Sequence, residues 1–143
     1  MELRSRYTGE DLKELIPQRE PILMVDDFSP LSENAADSAL TIKADNFFCL
    51  ENKLAEPGLI EHIAQSASAL SGFNALKLKK DPAIGYIGDV KKCTIAQLPA
   101  VGNTIRTHIE ILSETMGISL LQAETRNEDG ELVCACSMKI SVK

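Results

Sequence analysis

The chain has 143 residues, of which 44% are hydrophobic and 25% are charged, and its formal net charge is −6 at pH 7. This length and composition are those of about one globular domain with enough aliphatic side chains for a core, so we expect a single domain over residues 1–143. The acidic balance, without a basic face that carries interleaved aromatic residues, argues against general nucleic-acid binding.

The sequence gives no sign of a membrane or secretory protein. No run of apolar residues is long enough to span a bilayer, and the N-terminal stretch MELRSRYTGEDLKEL lacks the apolar segment of a signal peptide. Four cysteines fit a reducing compartment in which thiols stay free: Cys49, Cys93, Cys134 and Cys136. We therefore expect a cytoplasmic protein that makes no membrane contact.

The beginning of the chain predicts a short helix followed by a β-hairpin. Thr8, with Asp11 three residues later, resembles a capping box for a helix that Pro17 ends. The segments Ile22–Phe28 and Glu33–Ala44 are strand-like and are separated by turn residues. Two such segments in succession predict an antiparallel pair of strands.

The most strongly helical segment runs from Pro57 to about Leu76. Proline is tolerated in the first turn of a helix, and apolar residues then recur at helical spacing on one stripe: Ile60, Ile63, Ala64, Ala67 and Leu70. Alanine and serine occupy much of the remaining surface, so other backbone can approach this segment closely on several sides. The pattern predicts a helix that is buried by a sheet.

The second half of the chain predicts antiparallel strands: Gly85–Gln97, Asn103–Leu112, Met116–Arg126 and Leu132–Val142. In the second of these, isoleucines alternate with polar residues, and in the last one every second residue is apolar or a cysteine. The NEDG stretch at 127–130 is a hairpin signal. An antiparallel sheet that packs on one long helix belongs to the α+β class.

Few residues can carry chemistry, because the chain has only two histidines. Cys134 and Cys136 lie two residues apart in a row of apolar positions on one face of the last predicted strand. No second Cys or His pair completes a tetrahedral site, so we expect core residues and no metal.

Glu61 and His62 are adjacent on the helix and point about 100° apart, which argues against a self-contained dyad. Glu61 shares a face with Gln65 near the helix N-terminus, where unpaired N–H groups can bind an oxyanion. Alternatively, Glu61 is an exposed charge that complements the helix dipole.

Short motifs, taken in chain order, resemble those of the 3-hydroxyacyl-acyl-carrier-protein dehydratases of fatty-acid synthesis. PQREPILMVD at 17–26 resembles their PHRYPFLLVDRV opening, NFF at 46–48 resembles NEPFF, and PGLIEHIAQ at 57–65 resembles PGVLIIEAMAQ. Further along, GDVK at 88–91 resembles GIDKVKF, VG at 101–102 resembles VPGD, and DGELVC at 129–134 resembles the closing DGELV. Each match is weak alone, but their order over nearly the whole chain makes the resemblance specific.

The resemblance implies the hot-dog fold, in which an antiparallel sheet wraps around one long helix. It implies dimers joined edge to edge, an acyl tunnel at the interface, and substrate delivered on the phosphopantetheine of an acyl carrier protein, with no other cofactor. The family's catalytic pair is a histidine from a GHFPG loop of one subunit and a helix glutamate of the other, which corresponds to Glu61. Pro57, Gly58, Gln65 and Phe48 are then expected to bind substrate, with the Gly58 amide polarising the thioester carbonyl.

The chain departs from this family where the catalytic histidine is expected. In place of GHFPGKPIMPG it has CLENKLAEPG at 49–58, with Glu51 near the position of the missing histidine. Dehydration needs a base for the proton alpha to the thioester and an acid for the departing beta hydroxide. We therefore expect a catalytic set of Glu61 with His62 or Glu51.

Three functions stay open. The first is a dehydratase for 3-hydroxyacyl thioesters in fatty-acid or related polyketide and lipid biosynthesis. The second is an acyl thioesterase on the same fold, in which one carboxylate activates water or attacks the thioester. The third is a non-catalytic hot-dog subunit that binds acyl carrier protein, as a homo-oligomer or together with an active dehydratase.

Lysines cluster locally in this otherwise acidic chain. Lys79 and Lys80 follow Lys77 at the end of the predicted helix, and Lys91 and Lys92 lie in the next predicted strand. Such runs are commonly solvated faces, and the alternative is a docking patch for an acidic partner. We expect Lys79, Lys80, Lys91 and Lys92 to dock the acyl carrier protein.

Overall fold

A computed structural model describes residues 3–80 and 85–142 of the chain. The elements in chain order are β1 (Tyr7–Thr8), a 3₁₀ helix (Gly9–Glu14), β2 (Asp27–Ser32), β3 (Ala35–Thr41), β4 (Cys49–Leu50), β5 (Lys53–Leu54), α1 (Glu56–Lys77), β6 (Gly85–Ile95), β7 (Thr104–Thr115), β8 (Ile118–Arg126) and β9 (Leu132–Val142). No helix in the described part of the chain combines the length and the apolar character of a membrane span.

Seven strands form one sheet in the order β1-β2-β3-β7-β8-β9-β6, and β4 pairs with β5 as a separate hairpin. Every neighbouring pair in the large sheet is antiparallel. Strand β6 is last in this order, and within the described residues no strand pairs with its outer side. The backbone N–H and C=O groups along that side can therefore accept a strand from another chain.

Helix α1 packs on the inner face of the sheet and forms the centre of the core. Its first turn contains Pro57, and buried residues occur on several of its sides. The sheet contributes inward-facing residues at every second position: Ile105, Ile109, Leu121, Ala123, Cys134, Cys136 and Met138 are all buried. This arrangement confirms the predicted α+β architecture of an antiparallel sheet on one long helix.

The N-terminal elements differ from the prediction. The helix over 9–14 is of the 3₁₀ type, and Thr8 makes no side-chain capping hydrogen bond, so the predicted capping box is wrong. The first strand of the hairpin begins at Asp27 rather than Ile22. The backbone of 22–24 instead forms hydrogen bonds with side chains of α1, because buried polar groups there need these partners.

Gly72 lies where α1 crosses the end of the 3₁₀ helix. A Cβ atom at this position would collide with the carbonyl group of Leu15. Glycine inside a helix costs about 1 kcal/mol relative to alanine, so its presence here reflects the close approach of the two backbones. Tyr7 and Phe73 make an edge-to-face contact with ring centroids 6.0 Å apart beside this crossing.

Candidate active site

Glu61 is held near the start of α1 by Gln65. Its Oε2 accepts a hydrogen bond of 2.7 Å from Nε2 of Gln65, which lies four residues later on the same face of the helix. Gln65 is fully buried, whereas Glu61 is half-buried. The carboxylate thus has a fixed partner inside the protein and is also accessible from outside.

Gln65 is itself fixed by the chain segment that precedes β2. Its Oε1 accepts a hydrogen bond of 2.6 Å from the N–H of Met24, and its Nε2 donates one of 2.8 Å to the carbonyl of Ile22. Because the Met24 amide can only donate and the Ile22 carbonyl can only accept, the orientation of the side-chain amide is determined. The NH₂ group must face Glu61, and Gln65 therefore acts as a positioning residue for that carboxylate.

His62 points into the core and not towards the face that carries Glu61. Its Nδ1 lies 2.7 Å from the carbonyl oxygen of Met24, and its Nε2 lies 2.9 Å from Oγ1 of Thr107. Since a carbonyl can only accept, Nδ1 carries the proton, and Nε2 accepts a hydrogen bond from the Thr107 hydroxyl. The Thr107 oxygen can then accept one from Thr125, at 2.6 Å.

The environment of His62 favours the neutral ring. The side chain is fully buried, and this desolvation lowers its pKa. Both ring nitrogens are already bonded within the protein, so the ring ties α1 to β7 and is not presented to a substrate. The ring diverges from Glu61, as the angle between adjacent helical residues indicates. The catalytic role expected for His62 stays a prediction.

Glu51 lies at the tip of the β4–β5 hairpin, the segment that the sequence resemblance aligns with the histidine loop. Glu51 and Asn52 have φ values of 52° and 65°, as in a two-residue type I′ turn. The backbone of Asn52 and of Leu54 forms hydrogen bonds of 2.9 Å with the loop 99–101, which fixes the hairpin. Glu51 is exposed, and no hydrogen bond or ion pair within the described residues joins it to Glu61.

Gly58 and Phe48 pack together at the first turn of α1. A Cβ on Gly58 would lie 2.7 Å from Cβ of Phe48 and from Cδ1 of Leu54, so only glycine fits without a shift. The Gly58 N–H donates a hydrogen bond of 2.9 Å to the carbonyl of Ala55. The expected hydrogen bond from this amide to a thioester would have to displace that contact. Phe48 is half-buried and Pro57 is exposed, and their substrate-binding roles stay predictions.

The lysines expected to dock a carrier protein are exposed, but they do not all lie near Glu61. Lys77, the last residue of α1, is sixteen residues beyond Glu61, a distance of about 24 Å along the helix axis. The pair Lys79–Lys80 follows this end of the helix. The other pair, Lys91–Lys92, lies on the edge strand β6, where Lys91 forms an ion pair of 3.7 Å with Asp89.

A cluster of three cysteines was not predicted. The Sγ atoms of Cys93, Cys134 and Cys136 all lie within 4.8 Å of one another. Cys134 and Cys136 are buried, as their alternation in the sequence indicates, but Cys93 joins them from the edge strand and is exposed. The sequence shows no periodic signal for this meeting, because it depends on an irregularity in the pairing of β6 with β9.

Comparison with known proteins decides the family. A sequence profile of the ApeP-like family, described as ApeP dehydratase, matches residues 10–142. The chain belongs to the ApeP-like dehydratase family. The dehydratase lineage inferred from the motifs is thereby confirmed, and the match runs from the second residue of the 3₁₀ helix to the end of β9.

Curated relatives of this ApeP-like chain are dehydratases. It is 30% identical over 134 residues to the 3-hydroxyacyl-acyl-carrier-protein dehydratase FabZ of Colwellia psychrerythraea, covering 90% of this chain and 88% of the relative. It is 24% identical over 142 residues to the FabZ of Exiguobacterium sibiricum, covering 96% of this chain and 99% of the relative. These alignments span the whole site region of the ApeP-like chain.

Solved structures show the same fold. The dehydratase heterocomplex ApeI:P from Xenorhabdus doucetiae matches with a TM-score of 0.85 at 14% identity, over 92% of this chain and 90% of that one. A hypothetical thioesterase from Streptococcus pneumoniae, solved with coenzyme A, matches with a TM-score of 0.64 at 8% identity, over 81% and 84%. At such identities the likeness shows the fold alone, and it confirms the hot-dog fold for this ApeP-like chain.

Proposed function

We propose that this chain is a subunit of a dehydratase for 3-hydroxyacyl thioesters, and that it supplies Glu61 to a site completed by a second hot-dog chain. One observation carries the proposal: Glu61 is half-buried and held by Gln65, while both histidines of the chain are engaged elsewhere. His62 is bonded into the core. His108 lies on the outer face of the sheet between two carboxylates.

The reaction needs two groups at neighbouring carbons of the substrate. A base removes a proton from the α carbon, the electron pair of that C–H bond forms the Cα=Cβ double bond, and the β hydroxyl leaves as water once an acid protonates it. We assign Glu61 to the acid, because Gln65 holds its half-buried carboxyl group where a bound substrate can reach it. The base has no candidate histidine in this chain, so the second chain supplies it.

The geometry of the sheet supports a second chain. Strand β6 has no neighbour on its outer side among the described residues, and an unpaired edge readily accepts another strand. The family resemblance implies dimers joined in this way, with histidine and glutamate from different subunits. A homodimer would bring two copies of Glu61 and no loop histidine, whereas a partner that retains the loop histidine completes one site. The ApeI:P structure, by its description, is a dehydratase heterocomplex.

The proposal includes an acyl carrier protein as the donor of the substrate, within the cytoplasm, in fatty-acid or related polyketide and lipid biosynthesis. The exposed lysines support an acidic partner. Reversing the charge of Lys91 and Lys92, or of Lys79 and Lys80, should weaken carrier binding more at low salt than at high salt. Comparison of the two double variants by calorimetry identifies the docking pair, and unchanged affinity in both would remove this part of the proposal.

The decisive experiment is complementation between subunits. This chain is co-expressed with each histidine-bearing hot-dog dehydratase of the same organism, whose own helix glutamate is replaced by glutamine so that it is inactive alone. Mass spectrometry of a 3-hydroxyacyl carrier thioester should show loss of water by the mixed complex. Glu61→Gln in this chain should lower that rate about 10²–10⁴-fold, whereas the matched control Glu56→Gln, at the exposed start of α1, should retain it.

The other outcomes each contradict the shared site. Loss of water catalysed by this chain alone would show a self-sufficient dehydratase, in which Glu61 works with His62 or Glu51. Release of free acid and carrier thiol would show a thioesterase. A mixed complex that forms but has no activity would show a subunit that binds without catalysis.

A further inference from the structure

A bulge in the edge strand brings a third thiol to the cysteine pair of β9. The register of β6 against β9 shifts between Lys91 and Thr94, so that Lys92 and Cys93 together lie opposite the single residue Cys136. In a regular strand, position 92 would face Cys136 and position 93 would point to the other side of the sheet. Lys92 has a φ of 47°, in the left-handed region, and this conformation redirects Cys93 to the inner side.

The three sulfur atoms have the spacing of ligands around one ion. Those of Cys93, Cys134 and Cys136 all lie within 4.8 Å of one another. Three thiolates bonded to one ion at about 2.3 Å stand roughly 3.8–4.0 Å apart in tetrahedral or trigonal geometry. A contraction of about 1 Å or less, which rotation of the cysteine side chains can supply, therefore closes the cluster around an ion.

Burial and charge around the cluster also suit a cation. Cys134 and Cys136 form a buried wall, while the exposed Cys93 gives an ion a path of entry. Burial raises the pKa of Cys93 to about 11, and the Glu56 carboxylate at the start of α1 acts in the same direction. A cation bound by the three sulfurs is attracted by this nearby carboxylate.

We propose that Cys93, Cys134 and Cys136 form a three-thiolate site for a soft, thiolate-binding metal ion, Cu(I) or Zn(II). On binding, each thiol releases its proton to solvent and a sulfur lone pair coordinates the ion, with no change of oxidation state. Sulfur ligands select such ions over Mg²⁺ and Ca²⁺, which require oxygen. The ion links β6 to β9 and so fixes the edge of the sheet.

Metal titration of the full chain tests the site. The reduced protein is titrated with Zn(II) and, separately, with Cu(I), each in competition with a chromophoric chelator. We expect one ion per chain, slower hydrogen exchange in β6 and a higher Tm, because the ion binds the folded state. Cys93→Ser should lower the affinity at least tenfold. Cys49→Ser removes the cysteine outside the cluster and should leave the affinity unchanged.

Cys93 is the informative position because its exposed side chain can be changed without opening the core. Binding of either ion with this dependence supports the site and identifies its metal. Retention of neither ion, or equal affinity of wild type and Cys93→Ser, overturns it. A purified chain whose mass is lower by two hydrogens, with a disulfide mapped to Cys93, would overturn the metal site in favour of a redox pair.

Discussion

Two polar networks lie back to back on strand β7, and each is built around one of the two histidines. On the inner face, His62 bonds to Thr107, which bonds in turn to a second threonine. These three side chains are at most 2% exposed. On the outer face, the next residue, His108, bonds to Asp37 and Glu110, and the side chains of this group are 45–56% exposed.

The pKa values of the two histidines are therefore shifted in opposite directions on the two faces. Burial lowers the pKa of His62, whereas hydrogen bonds to Asp37 and Glu110 raise the pKa of His108. Inside, a lost partner leaves a buried polar group unpaired, and outside, water replaces it. The inner network should thus determine stability, and the outer one should determine only local charge.

Replacement of His62 by alanine should have the largest effect. The change removes a fully buried ring and leaves the Met24 carbonyl and the Thr107 hydroxyl without this partner. We expect the free energy of unfolding to fall by about 3–5 kcal/mol, measured by urea denaturation. The matched variant His108→Ala should lose less than about 0.5 kcal/mol, because solvent screens the exposed pairs. Equal losses would contradict the division between the two faces.

Thr107→Val should have the next largest effect. It keeps the shape of the side chain but removes the donor to Nε2 of His62, which leaves a buried acceptor unpaired. The expected loss is about 1–3 kcal/mol. Thr104→Val is the matched control, since Thr104 bonds to Thr41 at 2.9 Å on the exposed surface. A loss at position 104 as large as that at 107 would show that burial does not decide the cost.

The pH dependence of stability should have opposite slopes for the two rings. His62 has a lowered pKa when folded, so below about pH 6.5 the unfolded chain binds the extra proton, and stability falls by up to about 1.4 kcal/mol per pH unit as pH falls. His108 has a raised pKa when folded, so its contribution is complete below about pH 6.5 and is lost as pH rises through the folded pKa.

NMR titration of the two imidazoles checks these signs directly. The His62 signals should titrate below the ordinary histidine value, and the His108 signals should titrate above it. Stability curves of wild type and His108→Gln should diverge only below the folded pKa of His108, since the variant lacks its contribution there. Protonation of His62 near pH 6.5 in the folded chain would refute its desolvation.

Asp37→Asn should give the smallest change. It removes the carboxylate that lies 2.7 Å from Nδ1 of His108, so the pKa of His108 should fall towards its ordinary value. The free energy of unfolding should change by less than about 0.5 kcal/mol, because the pair is exposed. NMR measures the first effect, and the signals of His62 on the other face should not move. A shift of both histidines would show that the networks are coupled through β7.

Regular elements could be predicted because their signals are local. Pro57 and the apolar stripe after it define α1 within one residue at each end, and the alternation of Ile105 and Ile109 with polar residues gives the two faces of β7. Residues 22–24 carry the same kind of pattern but are not a strand. Their backbone bonds to His62 and Gln65, about forty residues away, which no local pattern can indicate.

The candidate site could be predicted only in part for the same reason. The hydrogen bond of Glu61 to Gln65 follows from helical spacing of four residues. The inward direction of His62 follows from the sheet that covers that side of α1, and the angle between adjacent helical residues indicates only that it diverges from Glu61. The approach of Cys93 to Cys136 requires a bulge whose single extra residue has no sequence signature.

The crossing at Gly72 links the far end of the helix to the candidate site at its beginning. One added methyl group there would push against the main chain of Leu15 and displace the segment that continues into 22–24. That segment sets the orientation of the amide that steadies Glu61. Gly72→Ala should therefore disturb the position of Glu61 from about three helical turns away, and the N-terminal segment can keep its present path only while position 72 has no side chain.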